Sequence, residues 1–242
     1  MASQLSPATN TLTEDYWQQR WTDGAIGGFH EQGGNKMLWN HMSKLLQEHF
    51  PTKNVKDLTA FVPLCGKSKD MYMFYEMGFT VVGVEFSPNA IEDFFKENGI
   101  TNVNTNEKPF SKSSDGRLMI GQGDLFTFHD INKGPCEKYD IIWDRASFES
   151  VNENEREKYA KLMKSLKKDD GLYIINVFEL DRSEYGGPPL SVTKEELERY
   201  FSAQGKVVLL ESGDKLGEDR PDRQRWIDKG LTKMTENLYI IG

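Results

Sequence analysis

From Leu58 to the C-terminus the chain alternates between short apolar runs and longer segments with helical spacing. No other feature limits the fold as much. The runs "LTAFVPLC", "FTVVGVEF", "RLMIGQGDLF", "KYDIIWDRASF" and "GLYIINVFEL" have the length and β-branched or aromatic content of strands. Between them, "SKDMYMFYEMG", "SPNAIEDFFKENG" and "NENEREKYAKLMKSLKKD" place apolar residues at helical intervals. This order predicts an α/β fold: an open, mostly parallel sheet with helices on both faces. The last two strands, "KVVLLESG" and "NLYIIG", have no helix between them and are expected to pair as an antiparallel hairpin at the sheet edge. The count is seven strands with an antiparallel last one, and "KPFSKSSDG" reads as a polar connection.

Local signals set the boundaries. Gly78 is a helix stop. Ser87 and Pro88 are an N-cap and a first helical residue. Thr193 and Glu196 form a capping box. Ahead of the first strand, "TEDYWQQRW" offers Thr13 as N-cap and the aromatics Tyr16, Trp17 and Trp21. "NKMLWNHMSKLLQEHF" is a second amphipathic helix, ended by Pro51. Residues 1–12 are expected to be a mobile tail, and 13–242 a single domain in which 13–50 form a helical cover.

A net charge of −8 lacks the basic footprint of a nucleic-acid binder and disfavours anionic membrane surfaces. The two cysteines, Cys65 and Cys136, are no disulfide framework and suit a reducing compartment. With no apolar run of membrane-spanning length and no secretory pattern, a cytoplasmic protein is expected. A monomer acting on a small molecule, with neither nucleic acid nor membrane as partner, is the corresponding expectation.

In an open α/β sheet the site lies at the carboxyl ends of the strands. There the first strand offers "PLCGK" and the second ends at Glu85. The third is followed by Asp124, and the fourth carries Asp144 and Arg145. A carboxylate at the end of the second strand suits a ribose, whether of NAD or of S-adenosylmethionine. A pyrophosphate needs several glycines for close backbone approach, and this loop offers only Gly66. S-adenosylmethionine has no phosphate, and one glycine leaves room for its amino-acid tail. Asp124 can accept from an adenine amino group. The alternative is that Glu85 and Asp124 are merely solvated strand-end carboxylates. Cys65 has no histidine near it in sequence, and His30 with His41 lacks further ligands at metal spacing, so neither a thiol nucleophile nor a metal is expected.

"FVPLCGKSKDM", "VVGVEFSPNAIEDFF", "YDIIWDRASF", "GGPP" and the N-terminal "YWQQRWTDG…GFHEQGGNKML" together resemble the thiopurine S-methyltransferase family, in the family's order and over most of the chain. The resemblance implies a Rossmann-like class I methyltransferase fold and S-adenosylmethionine as cofactor. It also implies S-methylation of small aromatic or heterocyclic thiols. By it, Trp17 and Trp21 line the cofactor side and Phe29 sits near the methyl group and the acceptor. Leu64 and Gly66 touch the cofactor, Glu85 takes the ribose, and Asp124 with Leu125 flanks the adenine. Arg145 lies at the pocket floor, facing cofactor and acceptor, as the residue that assists catalysis.

Read without the family, Trp17 and Trp21 anchor a helix, while Arg145 at the carboxyl end of a central strand reads as functional, with a structural salt bridge to Asp144 or Glu149 as the alternative. The "GGPPL" stretch is expected to wall the acceptor pocket, and the loop "GEDRPDRQRW" to be a solvated charged loop, the alternative being that it brings Arg220, Arg223 or Arg225 toward an anionic acceptor. Other soft acceptors (halide, thiocyanate, selenium or tellurium species) fit the same fold. A non-catalytic nucleotide-ligand binding module is the reading from another class.

Overall fold

The computed structural model describes residues 12–27, 30, 31, 33–104, 110–127 and 136–242. Among these, nine strands form one sheet: β1 (Thr59–Val62), β2 (Thr80–Glu85), β3 (Asn102–Asn104), β4 (Phe110–Ser113), β5 (Leu118–Gln122), β6 (Tyr139–Arg145), β7 (Lys167–Leu180), β8 (Val207–Asp214) and β9 (Met234–Ile241). The helices are α1 (Glu14–Thr22), α2 (Lys36–His49), α3 (Lys69–Met77), α4 (Pro88–Glu97), α5 (Arg156–Leu166), α6 (Lys194–Phe201) and α7 (Arg223–Asp228).

The strand order is β3-β4-β5-β2-β1-β6-β7-β9-β8. β5, β2, β1, β6 and β7 are parallel, and β9 runs antiparallel between β7 and β8. Helices cover both faces, so the central strands must be apolar on both sides. Alternate residues divide accordingly. Ala60, Val62, Val81, Ile141, Trp143, Leu172 and Ile174 pack with Met42 and Leu45 of α2, Phe74 of α3 and Phe94 of α4. Phe61, Val82, Val84, Ile142, Tyr173 and Ile175 pack with Tyr159 and Met163 of α5 and Phe201 of α6. A third cluster, with Phe178, Leu180, Trp226 and Met234, extends the far end of β7 under α7.

The expected local signals are present where they fix element ends. Thr13 Oγ1 accepts from Tyr16 N at 3.1 Å. Gly78 ends α3 at φ +108°, and the Thr193–Glu196 capping box starts α6. Ser87 precedes Pro88 but its side chain makes no capping bond; Glu85 occupies the Ser87 N–H instead.

Two expectations need correction. The sheet has nine strands where seven were read. The additional pair, β3 and β4, lies in and before the segment read as a polar connection. This hairpin adds to the outer edge of β5 by backbone pairing, and β3, the outermost strand, has exposed side chains at Asn102 and Val103, so no apolar alternation announces it. The charged loop before β9 also contains α7, whose Trp226 is buried. Residues 1–11 of the expected tail lie outside the described residues. Leu12 is buried, and the Asn152 side chain clamps it, accepting from Leu12 N at 3.0 Å and donating to Leu12 O at 3.1 Å.

The sheet order reverses about β1, with β2 on one side and β6 on the other. Crossover chains therefore leave in opposite directions, and a crevice opens above the carboxyl ends of β1 and β6.

Candidate active site

A cavity of about 350 Å³ occupies that crevice, a size suited to a small organic ligand. Its first wall is the turn after β1. Leu64 and Gly66 both have positive φ, +42° and +50°. The turn is tied to β2 by Cys65 N donating to Val84 O at 2.9 Å and Gly66 N donating to Glu85 Oε2 at 2.9 Å. Glu85 Oε1 accepts from Ser87 N at 2.8 Å. The carboxyl is 3 % exposed, and burial raises its pKa to about 7 although three backbone N–H groups oppose the shift. Each carboxylate oxygen keeps a further lone pair for a donor entering the cavity.

Gly66 is required for a reason the sequence did not disclose. A Cβ there would lie 2.9 Å from Trp21 Cζ2 and 3.2 Å from Cη2. The glycine admits the indole of α1, and Trp21 and Trp17 both line the cavity. Cys65 packs where Gly83 lacks a side chain; a Cβ on Gly83 would meet Cys65 Sγ at 2.6 Å. Burial, followed by the Glu85 charge, pushes the Cys65 thiol well above its ordinary pKa. It is a packing residue.

The second wall follows β5. Asp124 turns its Oδ1 onto Phe126 N at 3.0 Å, capping the turn that presents Leu125 and Phe126 to the cavity. The third wall follows β6 and holds Arg145 and Ala146, the latter at φ +63°. Two non-glycine residues with left-handed backbone, Leu64 and Ala146, thus stand at the ends of the two strands that flank the crevice.

Arg145 Nη2 pairs with Glu31 Oε1 at 2.9 Å. Burial opposes its charge, but the carboxylates of Glu31, Asp70, Glu236 and Glu149 outweigh that and raise its pKa. Asp144 and Glu149, the partners anticipated for a structural pair, bond elsewhere. Asp144 Oδ2 accepts from the hydroxyls of Tyr159 and Tyr173, each at 2.6 Å. Glu149 accepts from Phe178 N at 2.9 Å, and burial raises its pKa to about 8. Asp70 accepts from Asn35 N, Trp39 Nε1 and Trp143 Nε1, and so fixes the start of α2 to the start of α3 beside the cavity.

The structure therefore brings Trp17, Trp21, Leu64, Gly66, Glu85, Asp124, Leu125 and Arg145 to one cavity. Phe29 lies outside the described residues. The "GGPPL" stretch does not line this cavity. It is drawn underneath, with Leu190 N donating to Glu149 O and Tyr185 stacked edge-on against Trp226. Of the loop arginines, Arg220 pairs with Glu236 at 3.3 Å, Arg223 donates to Leu216 O, and Arg225 donates to Gly27 O. His30 lines the cavity, and burial followed by the Lys67 charge lowers its pKa, whereas His41 pairs with Glu211. No set of three or more metal-ligating side chains occurs among the described residues. Sequence reasoning missed Glu31, Phe126 and Asn152. Phe126 sits beside two assigned residues in "GDLF"; Glu31 and Asn152 carry no local signal.

A sequence model of the family described as thiopurine S-methyltransferase matches residues 12–242. The Bos taurus thiopurine S-methyltransferase is 33 % identical over 237 residues, covering 95 % of this chain and 89 % of that protein. A probable thiopurine S-methyltransferase of Danio rerio is 33 % identical over 233 residues, covering 93 % and 92 %. Among solved structures, the Burkholderia thailandensis 1,6-didemethyltoxoflavin-N1-methyltransferase, bound to its substrate and S-adenosylhomocysteine, superposes with a TM-score of 0.56 at 16 % identity over 94 % of this chain and 86 % of that one. The arsenic(III) methyltransferase of Chlamydomonas reinhardtii gives 0.55 at 12 % identity over 85 % and 73 %. These two likenesses speak to the fold.

Proposed function

The chain belongs to the thiopurine S-methyltransferase family and is an S-adenosylmethionine-dependent methyltransferase; from that premise we propose that it methylates small aromatic or heterocyclic thiols on sulfur. The observation that carries this reading is the pairing, across one cavity, of a phosphate-free cofactor wall with an arginine floor. The turn after β1 has one glycine and spends a backbone N–H on Glu85 rather than on an anion. The opposite strand end presents a charged guanidinium.

The residues present fit S-adenosylmethionine. The Glu85 carboxylate suits two ribose hydroxyls, and Leu125 and Phe126 offer apolar contact for a purine ring. The cofactor supplies a methyl group on a sulfonium, whose charge disappears as the group is transferred. Transfer to a thiolate needs alignment and exclusion of water more than acid–base help. Arg145 orients the acceptor sulfur and favours its ionised form. Trp17, Trp21 and the clamped Leu12 close the site over the reacting atoms.

The test is mass spectrometry of the protein with S-adenosylmethionine and 4-nitrobenzenethiol. The expected result is the methyl thioether and S-adenosylhomocysteine in equal amounts. Cofactor binding without thioether formation from this or other aryl thiols would refute the acceptor assignment.

A further inference from the structure

Arg145 shares its counter-ion with a second cation. Glu31 Oε1 lies 2.9 Å from Arg145 Nη2 and 3.5 Å from Lys215 Nζ. Lys215, on the segment after β8, is 4 % exposed. Its ammonium also lies 3.5 Å from Asp222, 3.8 Å from Glu236 and 5.3 Å from the centre of the Phe178 ring. The other carboxylates near Arg145 are fixed: Asp70 by three donors, Glu236 by Asn35 and Arg220, and Glu149 by the Phe178 N–H. Each is at most 3 % exposed. Glu31 differs. Its side chain is 30 % exposed and lines the cavity, and its Oε1 stands between Arg145 and Lys215.

We propose that Glu31 is a charge gate on the acceptor site, neutralising Arg145 until an anionic acceptor displaces it onto Lys215. The inference rests on the reading of Arg145 as the acceptor-facing residue. A thiolate and the Glu31 carboxylate compete for one guanidinium, and holding both there places two anions side by side in a partly dry site. Lys215 relieves this, because its desolvated ammonium, already beside Asp222 and Glu236, is attracted further by a closer approach of Glu31. No covalent bond changes in the exchange. Glu31 and Lys215 are thus positioning residues that set acceptor charge preference. Methyl transfer converts the thiolate to a neutral thioether, so Glu31 regains Arg145 as product forms and product release is favoured.

The experiment measures binding by calorimetry in the presence of S-adenosylhomocysteine, with 4-nitrobenzenethiolate and its neutral S-methyl thioether as the two ligands. Glu31→Gln should bind the thiolate roughly tenfold more tightly, as expected for removing one nearby like charge, and bind the thioether as wild type does. Lys215→Met should weaken the thiolate alone, and Lys215→Arg should restore it. In the double variant the loss caused by Lys215→Met should shrink, leaving only the part that runs through Asp222 and Glu236. Weaker thiolate binding by Glu31→Gln, equal changes for both ligands, or a double variant resembling Lys215→Met would overturn the gate. A wild-type protein that forms no thioether would instead remove the acceptor assignment, and the gate with it. If Lys215→Met does not fold, the Glu31→Gln comparison decides alone.

Discussion

Replacing Gly66 by alanine tests whether the turn after β1 exists to seat an indole. Gly66 has φ +50° and its added Cβ would stand 2.9 Å from Trp21. Carbon contacts are ordinarily about 3.5–4.0 Å, so the ring must retreat by about 1 Å. Gly99 is the natural control: φ is +64° and nothing lies within 4 Å of a Cβ there. Alanine at either position costs about 1–2 kcal/mol for the left-handed backbone. Gly66→Ala should lose a further ~1–3 kcal/mol from overpacking against Trp21. Urea unfolding of both variants separates the two contributions. Calorimetric titration with S-adenosylhomocysteine should show a loss of about tenfold or more, roughly 1.4 kcal/mol, for Gly66→Ala and wild-type affinity for Gly99→Ala. Adding Trp21→Ala to Gly66→Ala should be non-additive, because the clash vanishes with the ring. Equal unfolding free energies for the two glycine variants, or unchanged cofactor affinity in Gly66→Ala, would refute the reasoning.

Three further outcomes are expected. The Glu85 carboxyl sits near pKa 7 in the folded protein, above its ordinary value. Without ligand its contribution to stability is therefore present at low pH and lost as pH rises through about 7. Ribose hydroxyls favour the ionised form, so S-adenosylhomocysteine affinity should fall as pH drops below about 7, and Glu85→Gln should flatten that profile; a wild-type profile as flat as the variant's would refute the assignment. Arg145→Ala should lower kcat/KM for aryl thiols at least tenfold while changing cofactor affinity by less than about threefold; equal losses in both would count against an acceptor role. Asn152→Ala frees Leu12 from two backbone hydrogen bonds, worth about 1–3 kcal/mol if left unmade, and should speed S-adenosylhomocysteine release in stopped-flow fluorescence; an unchanged release rate would show that the clamp does not close the site.

The parallel core was legible because each of its strands is buried on both faces and reads as an apolar run bounded by a turn or cap. Gly78, Pro88 and the Thr193–Glu196 box mark ends by local chemistry, which sequence carries directly. The β3–β4 hairpin was not legible, because its stability comes from backbone pairing with β5 at an exposed edge and imposes little side-chain pattern. Glu85, Asp124 and Arg145 were found because strand ends in this topology point into one crevice. Glu31 was not, since its place beside Arg145 is a long-range pairing that no local pattern announces. Lys215 and Glu236 depend on β9 inserting between β7 and β8, which sets Glu236 near the Arg145 guanidinium and Lys215 beside Glu31 and Glu236.

The same distinction explains the one glycine of the β1 turn. Its scarcity correctly pointed away from a pyrophosphate. Its purpose was assigned to the ligand, yet the atoms that need the space belong to Trp21. A dinucleotide site uses glycines to bring backbone to phosphate. Here the single glycine brings α1 onto the turn after β1, while Arg225, donating to Gly27 O, ties the loop after α1 to the segment beyond β8. The N-terminal segment is thereby tied to both sides of the crevice, to the β1 turn through Trp21 on Gly66 and to the end of β6 through Glu31 on Arg145. Substitutions at Trp21 or Glu31 should therefore alter ligand affinity in calorimetric titration even where they leave the sheet and its stability untouched.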